Sequence, residues 1–418
     1  MIHAALGEVA LLLLAWLLSE DRWHIPWRTV IAGVALQVAL ALLLFDFPPA
    51  VTVVMLANRA AHALQRATEA GTSFVFGYLG GAPLPFSETT PGASFILAFN
   101  ALPLVLVISA LASLLFHWGI LQRLTGAFAW LLRRWMGIGG ALAIGAAVHI
   151  FVGMVEAPLL VRPYLARMQR GELFALMTCG MAGVAGTVMV IYAAFLANLI
   201  PDALGQILIA SVISTPAGLA VAALMVPFGP AEADDDRLVL EHPPVSSIDA
   251  LVKGTADGIP VLIGIVATLI VTIAMVTLVN AALGLLPQWD GLWGNDPLTL
   301  QRIFAWAFRP VMWLIGVPWQ EAGAASALMG TKTVLNEFVA YLNLSKLPPD
   351  AFSPHTRLIL TYALCGFANF GSAGIMIGGI GMMIPDRRAE VAQLGMRSIV
   401  SGTLATCMSG AVAGAIGG

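Results

Sequence analysis

The chain has 418 residues, of which 59% are hydrophobic and only 10% charged, and its mean hydropathy is +0.90. A soluble protein of this length needs a more polar surface, so the composition predicts a polytopic membrane protein. The formal net charge of −3 comes without a basic cluster, and the three cysteines lack metal-ligating or disulfide spacing, so we expect no nucleic-acid partner, no metal site and no disulfide framework.

Apolar runs of about 20 residues are long enough to cross a bilayer as helices. The sequence contains eight candidates, of which the first is short, at 4–18, 29–45, 94–117, 171–199, 204–228, 259–286, 355–383 and 393–415. Two further apolar regions, 138–166 and 303–345, are interrupted by glycine, proline and charged residues. The pattern predicts an all-α membrane protein with about eight transmembrane helices and two broken, re-entrant segments.

Arginine residues are concentrated in four of the connecting segments, 19–28, 118–136, 161–170 and 384–397. Positive charge near the ends of spans marks the cytoplasmic side, so both termini are predicted to face outward. The first apolar run, "ALGEVALLLLAWLL", has no basic residue before it, and we interpret it as a retained helix instead of a cleaved signal.

Two connecting stretches have a different character. The stretch "NRAAHALQRATE" places Arg59, His62, Arg66 and Glu69 on one face of a helix. This pattern predicts a helix along the membrane surface, with a solvated cytoplasmic helix as the alternative. The segment 229–247 is predicted to be an acidic loop that separates two halves of the chain.

The two halves repeat weakly. Each has a broken apolar segment containing a glutamate, Glu156 or Glu337, followed by a span with a run of small residues, "GMAGVAGT" (180–187) or "CGFANFGSAG" (365–374). Broken segments at matching positions of two halves are typical of a transporter site, because irregular backbone is tolerated in a membrane only where protein or a water-filled cavity covers it.

The second broken segment also contains "GTKTVLNEFVAYLNL" (330–344), which places Lys332, Asn336 and Glu337 among apolar residues. Ionisable residues at membrane depth are functional candidates by default, although a Lys332–Glu337 ion pair or a capped hairpin tip would also explain them. Together with Asn369 and Ser372, the Glu337 carboxylate suits a diol such as ribose, because it can accept two hydroxyl hydrogen bonds.

These motifs resemble those of concentrative nucleoside transporters. The resemblance is carried by "GTKTVLNEFVAY", "CGFANFGSAGIMIGGIG" (365–381), "FVGMVEAPLLVRPYL" (151–165) and "GVPWQEA" (316–322), and it extends from about residue 90 to the C-terminus. It implies a homotrimer in which a transport domain moves across the membrane, like an elevator, against a scaffold domain.

The same resemblance implies a domain order. Residues 1–136 would form a scaffold segment with the first three spans, and 137–228 the first repeat of the transport domain. Residues 229–302 would contribute the acidic loop and the sixth, scaffold span, and 303–418 the second repeat.

Eight positions are implied to form the substrate site, and they are Met154, Val155, Glu156, Val188, Glu337, Phe367, Asn369 and Ser372. Ribose would be held by Glu337, Asn369 and Ser372, and the base would face Glu156 and Val188. Relatives usually have a glutamine and a small polar residue where this chain has Met154 and Val155. We therefore expect a nucleoside gripped by shape and stacking, or a similar solute with a less polar aglycone.

The ion site departs from the family in the same way. His149 and Gly183 stand where sodium-coupled relatives have an asparagine and a hydroxyl residue, which leaves backbone carbonyls such as that of Val152 as ligands. Imidazole is a poor ligand for a hard cation but titrates near neutral pH. We predict proton coupling with His149 as the carrier and Glu156 as the second candidate. A neutral, space-filling histidine and residual sodium binding remain alternatives.

Five residues are predicted to shape the two hairpins, and they are Gly153, Pro158, Gly330, Lys332 and Asn336. The sequence as a whole predicts a secondary active importer of nucleosides or nucleoside-like solutes, proton-coupled, in the inner membrane of a bacterium. Sodium coupling, a different ribose-containing or less polar solute, and a passive channel are the alternatives. We expect no enzymatic activity and no cofactor, since neither an HExxH nor a GxSxG motif is present.

Overall fold

The computed structural model describes residues 2–88, 94–154, 156–197, 199–229, 244–285, 297–348 and 350–417. All regular structure in these ranges is helical, as the hydropathy pattern predicts. The predicted acidic loop falls mostly outside the described residues, and so does Val155.

Helices of the N-terminal half vary widely in length. The first three are α1 (Ile2–Leu17), α2 (Trp27–Asp46) and α3 (Pro48–Phe76), followed by a 3-10 turn at Gly77–Gly80. The next five are α4 (Leu97–Asn100), α5 (Leu104–His117), α6 (Ile120–Met136), α7 (Gly140–Val148) and α8 (Glu156–Leu160). The last four of this half are α9 (Arg162–Leu165), α10 (Arg170–Ala182), α11 (Gly186–Leu196) and α12 (Ala203–Met225).

The C-terminal half begins with a helix of 37 residues, α13 (Ser247–Leu283). It continues with α14 (Leu300–Leu314), α15 (Trp319–Val334), α16 (Glu337–Lys346), α17 (Pro354–Ala363) and α18 (Phe370–Met383). A 3-10 turn at Pro385–Arg387 then leads into the last helix, α19 (Arg388–Ile416).

Within the described residues, five helical segments are long and apolar enough to cross a membrane, and they lie at 27–46, 97–117, 203–225, 247–283 and 385–416. Two of the predicted spans, 171–199 and 355–383, are instead divided into shorter helices, α10 with α11 and α17 with α18. The backbone leaves the helical conformation at the small-residue runs, which contain glycine, a poor helix former.

The two halves repeat element by element. A long apolar helix (α5 or α13) is followed by an amphipathic helix (α6 or α14), then by two helices separated by a break (α7 and α8, or α15 and α16). A divided span (α10 and α11, or α17 and α18) and a long helix (α12 or α19) complete each copy. The sequence prediction missed the two amphipathic helices, whose arginines and tryptophans interrupt the hydropathy signal.

Helix packing divides the molecule differently from chain order. The main contacts of α1 and α2 are with α12 and α19, whereas α5 and α13 pack against each other. The approach of α2 to α12 is close, since a Cβ added to Gly33 would lie 2.8 Å from Pro216 O. The predicted scaffold segment, residues 1–136, therefore contains two helices, α1 and α2, whose contacts are mainly with the helices of the predicted transport domain.

The four arginine-bearing segments lie close together, as the orientation prediction requires. Glu20 accepts hydrogen bonds from Arg170 (3.1 and 3.0 Å) and also from Arg397. Arg387 donates to Met168 O (2.7 Å), which links the segments 384–397 and 161–170. Thr29, directly after the segment 19–28, donates its Oγ1 hydrogen to Met136 O at the end of the segment 118–136. The hydrogen bond from Arg170 is the main reason why the pKa of the Glu20 carboxyl is lowered, and Arg397 adds to the effect.

The predicted surface helix lies inside α3. Its four polar residues, Arg59, His62, Arg66 and Glu69, are all exposed, and Arg66 Nε donates to His62 O (3.4 Å). The helix and its polar face are confirmed, and its position along a membrane surface stays a prediction.

Candidate functional site

Four interruptions of helical backbone lie close to one another. They are residues 149–154 between α7 and α8, 183–185 between α10 and α11, 335–336 between α15 and α16, and 364–369 between α17 and α18.

Backbone contacts join these interruptions to one another. Phe367 N donates to Gly183 O (3.2 Å), which links the two divided spans directly. A Cβ added to Gly186 would lie 2.7 Å from Phe151 O, so the first break touches the start of α11. A Cβ added to Gly366 would also lie 2.7 Å from Met181 O, so only glycine fits where the break between α17 and α18 crosses the end of α10.

The Glu337 carboxylate is held from two sides in this region. Oε1 accepts a hydrogen bond from Tyr192 OH (2.7 Å), and Oε2 accepts one from Asn369 Nδ2 (3.0 Å). Glu337 is the first residue of α16, and only 4% of its surface is exposed. A buried carboxylate is tolerated when its oxygens are hydrogen-bonded, and each oxygen retains capacity for a further donor.

Two asparagines cap the helices that begin at this carboxylate. Asn336 Oδ1 accepts from Val339 N (2.9 Å) at the start of α16, and Asn369 Oδ1 accepts from Ser372 N (2.8 Å) at the start of α18. Both helix N-termini carry partial positive charge, which favours acceptor groups such as carboxylates and ligand oxygens. The predicted cluster of Glu337, Asn369 and Ser372 is therefore brought together, and Asn369 both caps a helix and contacts the acid.

Tyr192 is the contact that sequence reasoning missed. Its ring packs against Phe338 (centroids 6.0 Å apart) and Tyr341 (5.0 Å), and its side chain is 1% exposed. The available signal was weak: Tyr192 supplies a phenol hydroxyl within "GTVMVIYAAFL", which is otherwise almost entirely apolar. A buried phenol needs a hydrogen-bond acceptor, but the sequence could not show that Glu337, 145 residues away, provides it.

Lys332 has a different partner from the one considered at the sequence level. Its Nζ donates to Ala363 O (2.7 Å), at the last residue of α17, and to Thr406 Oγ1 (3.0 Å). Lys332 thus stabilises the C-terminal end of a half-helix, where a cation is favoured, instead of forming a direct ion pair with Glu337.

Two of the predicted hairpin residues play other roles than turns. Gly330 lies inside α15, where a Cβ would come within 2.6 Å of Gln301 O, so it permits close packing against α14. Pro158 does not interrupt the first segment; it is the third residue of α8, in the first turn, where proline is tolerated. The interruption comes earlier, at 149–154.

The first broken segment presents its acid at a helix start, as the second does. Glu156 is the first residue of α8 and is exposed, and its carboxylate lies directly over Gly153, where any Cβ would overlap it. Met154 is buried against Gly180, and Val188 is buried in the first turn of α11.

His149 lies between the first break and the end of α10. A Cβ on Gly180 would lie 3.4 Å from its Nε2, and a Cβ on Gly183 would lie 3.7 Å from its Nδ1. The side chain is 3% exposed, and among the described residues Nε2 has no hydrogen-bond partner. The imidazole thus fills the space beside two glycines and leaves one nitrogen unsatisfied.

Three family models cover most of the chain. Residues 6–79 match "Na+ dependent nucleoside transporter N-terminus", 98–199 match "Nucleoside recognition" and 206–414 match "Na+ dependent nucleoside transporter C-terminus". The fold is similar to a solved structure of CNTnw in an inward-facing substrate-bound state, with a TM-score of 0.88 and 37% identity over 100% of this chain and 99% of that one. The chain belongs to the concentrative nucleoside transporter family.

Curated relatives of similar length support the membership. The putative nucleoside permease NupX of Escherichia coli (strain K12) is 34% identical over 99% of this chain and 98% of its own. The nucleoside permease NupC of Helicobacter pylori is 32% identical over 99% and 97%. The resemblance read from the hairpin and span motifs is confirmed.

Proposed function

We propose that this family member imports nucleosides or nucleoside-like solutes by a proton-coupled elevator mechanism. The observation that carries the proposal is the Glu337 carboxylate, hydrogen-bonded by Tyr192 and Asn369 where four backbone interruptions meet. Relatives named as nucleoside permeases match over nearly their whole length, which supports the substrate class.

The ribose half of the site follows from the chemistry of this cluster. A carboxylate with remaining lone pairs, next to an amide and the N-terminus of α18, can accept hydrogen bonds from two neighbouring hydroxyls. Losing a partner in a buried network costs about 1–3 kcal/mol, and more for charged groups. Glu337→Gln or Asn369→Ala should therefore abolish or severely weaken uridine and adenosine uptake while the protein still inserts, and unchanged uptake in either variant would remove the ribose assignment.

The base half is apolar, and this sets the expected substrate preference. Met154 and Val155 stand where relatives usually have the polar pair that would read a base edge, and both Met154 and Val188 are buried apolar side chains. Wild-type protein should bind uridine weakly, and Met154→Gln combined with Val155→Thr should improve that binding. Calorimetric titration of both proteins with uridine checks this, and tight binding by the wild type would show that other groups replace the polar pair.

Proton coupling is proposed from the surroundings of His149. The imidazole lies beside Gly180 and Gly183, and its unpartnered Nε2 is a nitrogen that can accept a proton. A hard cation such as sodium prefers several oxygen ligands, and neither the imidazole nor a glycine supplies a side-chain oxygen. Sodium is the second candidate, because two of the matching family models are named for sodium dependence.

The two ions can be separated in proteoliposomes. We expect an inward proton gradient to drive uridine accumulation in sodium-free buffer, with His149→Ala losing the coupling. If uptake ignores the proton gradient and requires sodium, the proton proposal is wrong. If His149→Ala and His149→Asn both remain proton-driven, the coupling stands and Glu156→Gln becomes the next variant to measure.

The same vesicles separate a carrier from a passive channel. A carrier shows saturable uptake and accumulates the solute above the external concentration when an ion gradient is imposed. Uptake that rises linearly with uridine concentration and never exceeds equilibrium would favour the channel.

The moving and static bodies are proposed from helix packing. The α5–α13 pair would form the static scaffold. The helices on either side of the four breaks would form the moving body, together with α1 and α2, which pack on α12 and α19. Only 6% of the residues in the most apolar 18-residue stretch of α13 are buried within the chain, compared with 89% in α12. This exposure leaves α13 available for a homotrimer interface. Loss of the trimer in α13 variants with added polar side chains, measured by native mass spectrometry, tests this arrangement.

The proposed setting is the inner membrane of a bacterium, with eight crossings and the two broken segments as re-entrant hairpins related by an inverted repeat. The adjacency of the four arginine-bearing segments supports a common cytoplasmic face. Single cysteines introduced at positions 22 and 123 should react with a membrane-impermeant maleimide from the cytoplasmic side only.

A further inference from the structure

A second buried carboxyl lies outside the solute site, in the first helix. Glu8 is in the middle of α1, 8% exposed, on the side of the helix that packs against α12, α14 and α19. Next to it, Gly7 approaches the backbone of α14 so closely that any Cβ would overlap Leu314 O. The carboxyl is therefore enclosed by helices and lies at membrane depth.

Glu8 has one hydrogen-bond donor. In the amide orientation that satisfies both of its ends, Gln37 Nε2 donates to Glu8 Oε1 (3.1 Å) and Gln37 Oε1 accepts from Ser409 N (3.3 Å). Ser409 Oγ in turn lies 2.7 Å from Ser214 Oγ and donates to Ala405 O (3.1 Å). These contacts tie α1, α2, α12 and α19 together through polar side chains.

The other carboxyl oxygen is left without a partner. Glu8 Oε2 is buried and makes no hydrogen bond within the described residues. The titratable and charged groups on α1, on the helices packed against it and on α2, which carries Gln37, are His3, Arg28, Asp46, Arg302, Arg309, Glu390, Arg388, Arg397 and Cys407. Of the basic groups among them, Arg397 pairs with Glu20, Arg309 lies over the Trp319 ring, and His3 contacts Trp313 edge-to-face. None forms an ion pair with Glu8 among the described residues.

An ionised carboxylate in this position would be a buried charge without a counter-ion. Such a charge is costly inside a membrane, whereas a neutral acid leaves only one polar group to satisfy. A metal cation is a poor alternative, because the amide oxygen of Gln37 and the hydroxyl of Ser409 are already engaged. A proton is the ligand that this environment fits.

We infer that Glu8 is a proton-binding site, separate from the solute site, and that the bound proton keeps α1 packed in the bundle. Loss of this proton places a negative charge among α1, α12, α14 and α19 and loosens the first helix. Glu8→Gln keeps the size and the hydrogen bond to Gln37 and imitates the protonated form.

Infrared difference spectroscopy of the full chain in lipid, titrated with pH, tests the bound proton. We expect a protonated-carboxyl C=O band at neutral pH in the wild type that is absent in Glu8→Gln and retained in the control Glu20→Gln, whose acid is exposed and hydrogen-bonded by Arg170 and Arg397. An identical band in Glu8→Gln overturns the inference. So does loss of the wild-type band when sodium replaces choline at constant pH, because the site would then hold a cation.

Two further measurements test the inference if Glu8→Gln does not fold, and they test the effect of the proton on helix packing. Gln37→Leu removes the donor to Oε1, so the band should move to higher frequency, and an unmoved band contradicts the assignment. Amide hydrogen exchange of 2–17, corrected for intrinsic rates, should rise at alkaline pH in the wild type and not in Glu8→Gln; an equal rise in both refutes the role in packing. Neither measurement needs a solute, so each is independent of nucleoside transport.

Discussion

The hydroxyl of Tyr192 provides the sharpest test of how the Glu337 carboxylate is positioned. Tyr192→Phe removes the donor to Glu337 Oε1 but retains the ring that packs against Phe338 and Tyr341. The carboxylate keeps Asn369 on its other oxygen and becomes free to rotate. If the Glu337 carboxylate accepts the ribose hydrogen bonds, the variant loses conformational entropy when the freely rotating carboxylate is fixed on binding, which weakens the affinity.

The expected size of the effect follows from the geometry. A hydrogen bond to a charged group contributes about 1.5–3 kcal/mol, and the 2.7 Å contact is fully buried. Some of this loss lowers the stability of the protein, and the share that falls on the bound state weakens uridine binding. We expect the Kd to rise about tenfold, which corresponds to about 1.4 kcal/mol.

Tyr341→Phe is the matched control, because its hydroxyl donates to Thr361 O (2.6 Å) and not to Glu337. It should lower the thermal stability by about 1 kcal/mol and leave the Kd for uridine unchanged. Calorimetric titration and thermal unfolding of both variants give the two quantities separately. An unchanged Kd in folded Tyr192→Phe, or an equal loss of affinity in both variants, would refute the positioning role.

Three further changes test other regions of the structure. Glu20→Gln should lower the free energy of unfolding at neutral pH by up to about 1 kcal/mol. Because Arg170 lowers the pKa of this carboxyl in the folded protein, the stabilisation is present above the usual carboxyl pKa and is lost as the pH falls through the folded value. The variant should therefore lose less stability than the wild type on acidification, as thermal unfolding against pH would show. Lys332→Met leaves the last carbonyl of α17 without its donor and should cost about 1–3 kcal/mol, with urea unfolding as the measurement and full stability as the contrary result. Gly366→Ala should separate the two divided spans and abolish uptake, whereas Gly374→Ala, with no atom within 4 Å of its Cβ, should retain it; equal activity would show that the crossing is not tight.

Much of the architecture could be predicted from the sequence because the bilayer imposes strict local rules. Apolar run length predicted the five long apolar helices, arginine placement marked segments that lie close together, and the small-residue runs marked the divided spans near Gly183 and Gly366. The motif around Glu337 and Asn369 predicted that these side chains would come together. These features are local in sequence or are carried by motifs, so a single chain is enough to reveal them.

Other features depend on contacts between distant regions of the chain. The amphipathic helices α6 and α14 escaped detection because alternating charges and aromatic residues lower the hydropathy of segments that still form helices. Pro158 looked like a helix breaker but lies in the first turn of α8, where its missing N–H does not matter. Whether a proline breaks a helix depends on where the helix begins, and packing decided that here.

The tertiary structure alone decided which partner each buried polar group has. Lys332 could have paired with Glu337, five residues further on, but the fold directs it to the end of α17. Tyr192 finds Glu337, and Glu8 finds Gln37, across separations that no local pattern encodes. A buried polar group must be satisfied, and the sequence states that requirement; only helix packing determines which group satisfies it.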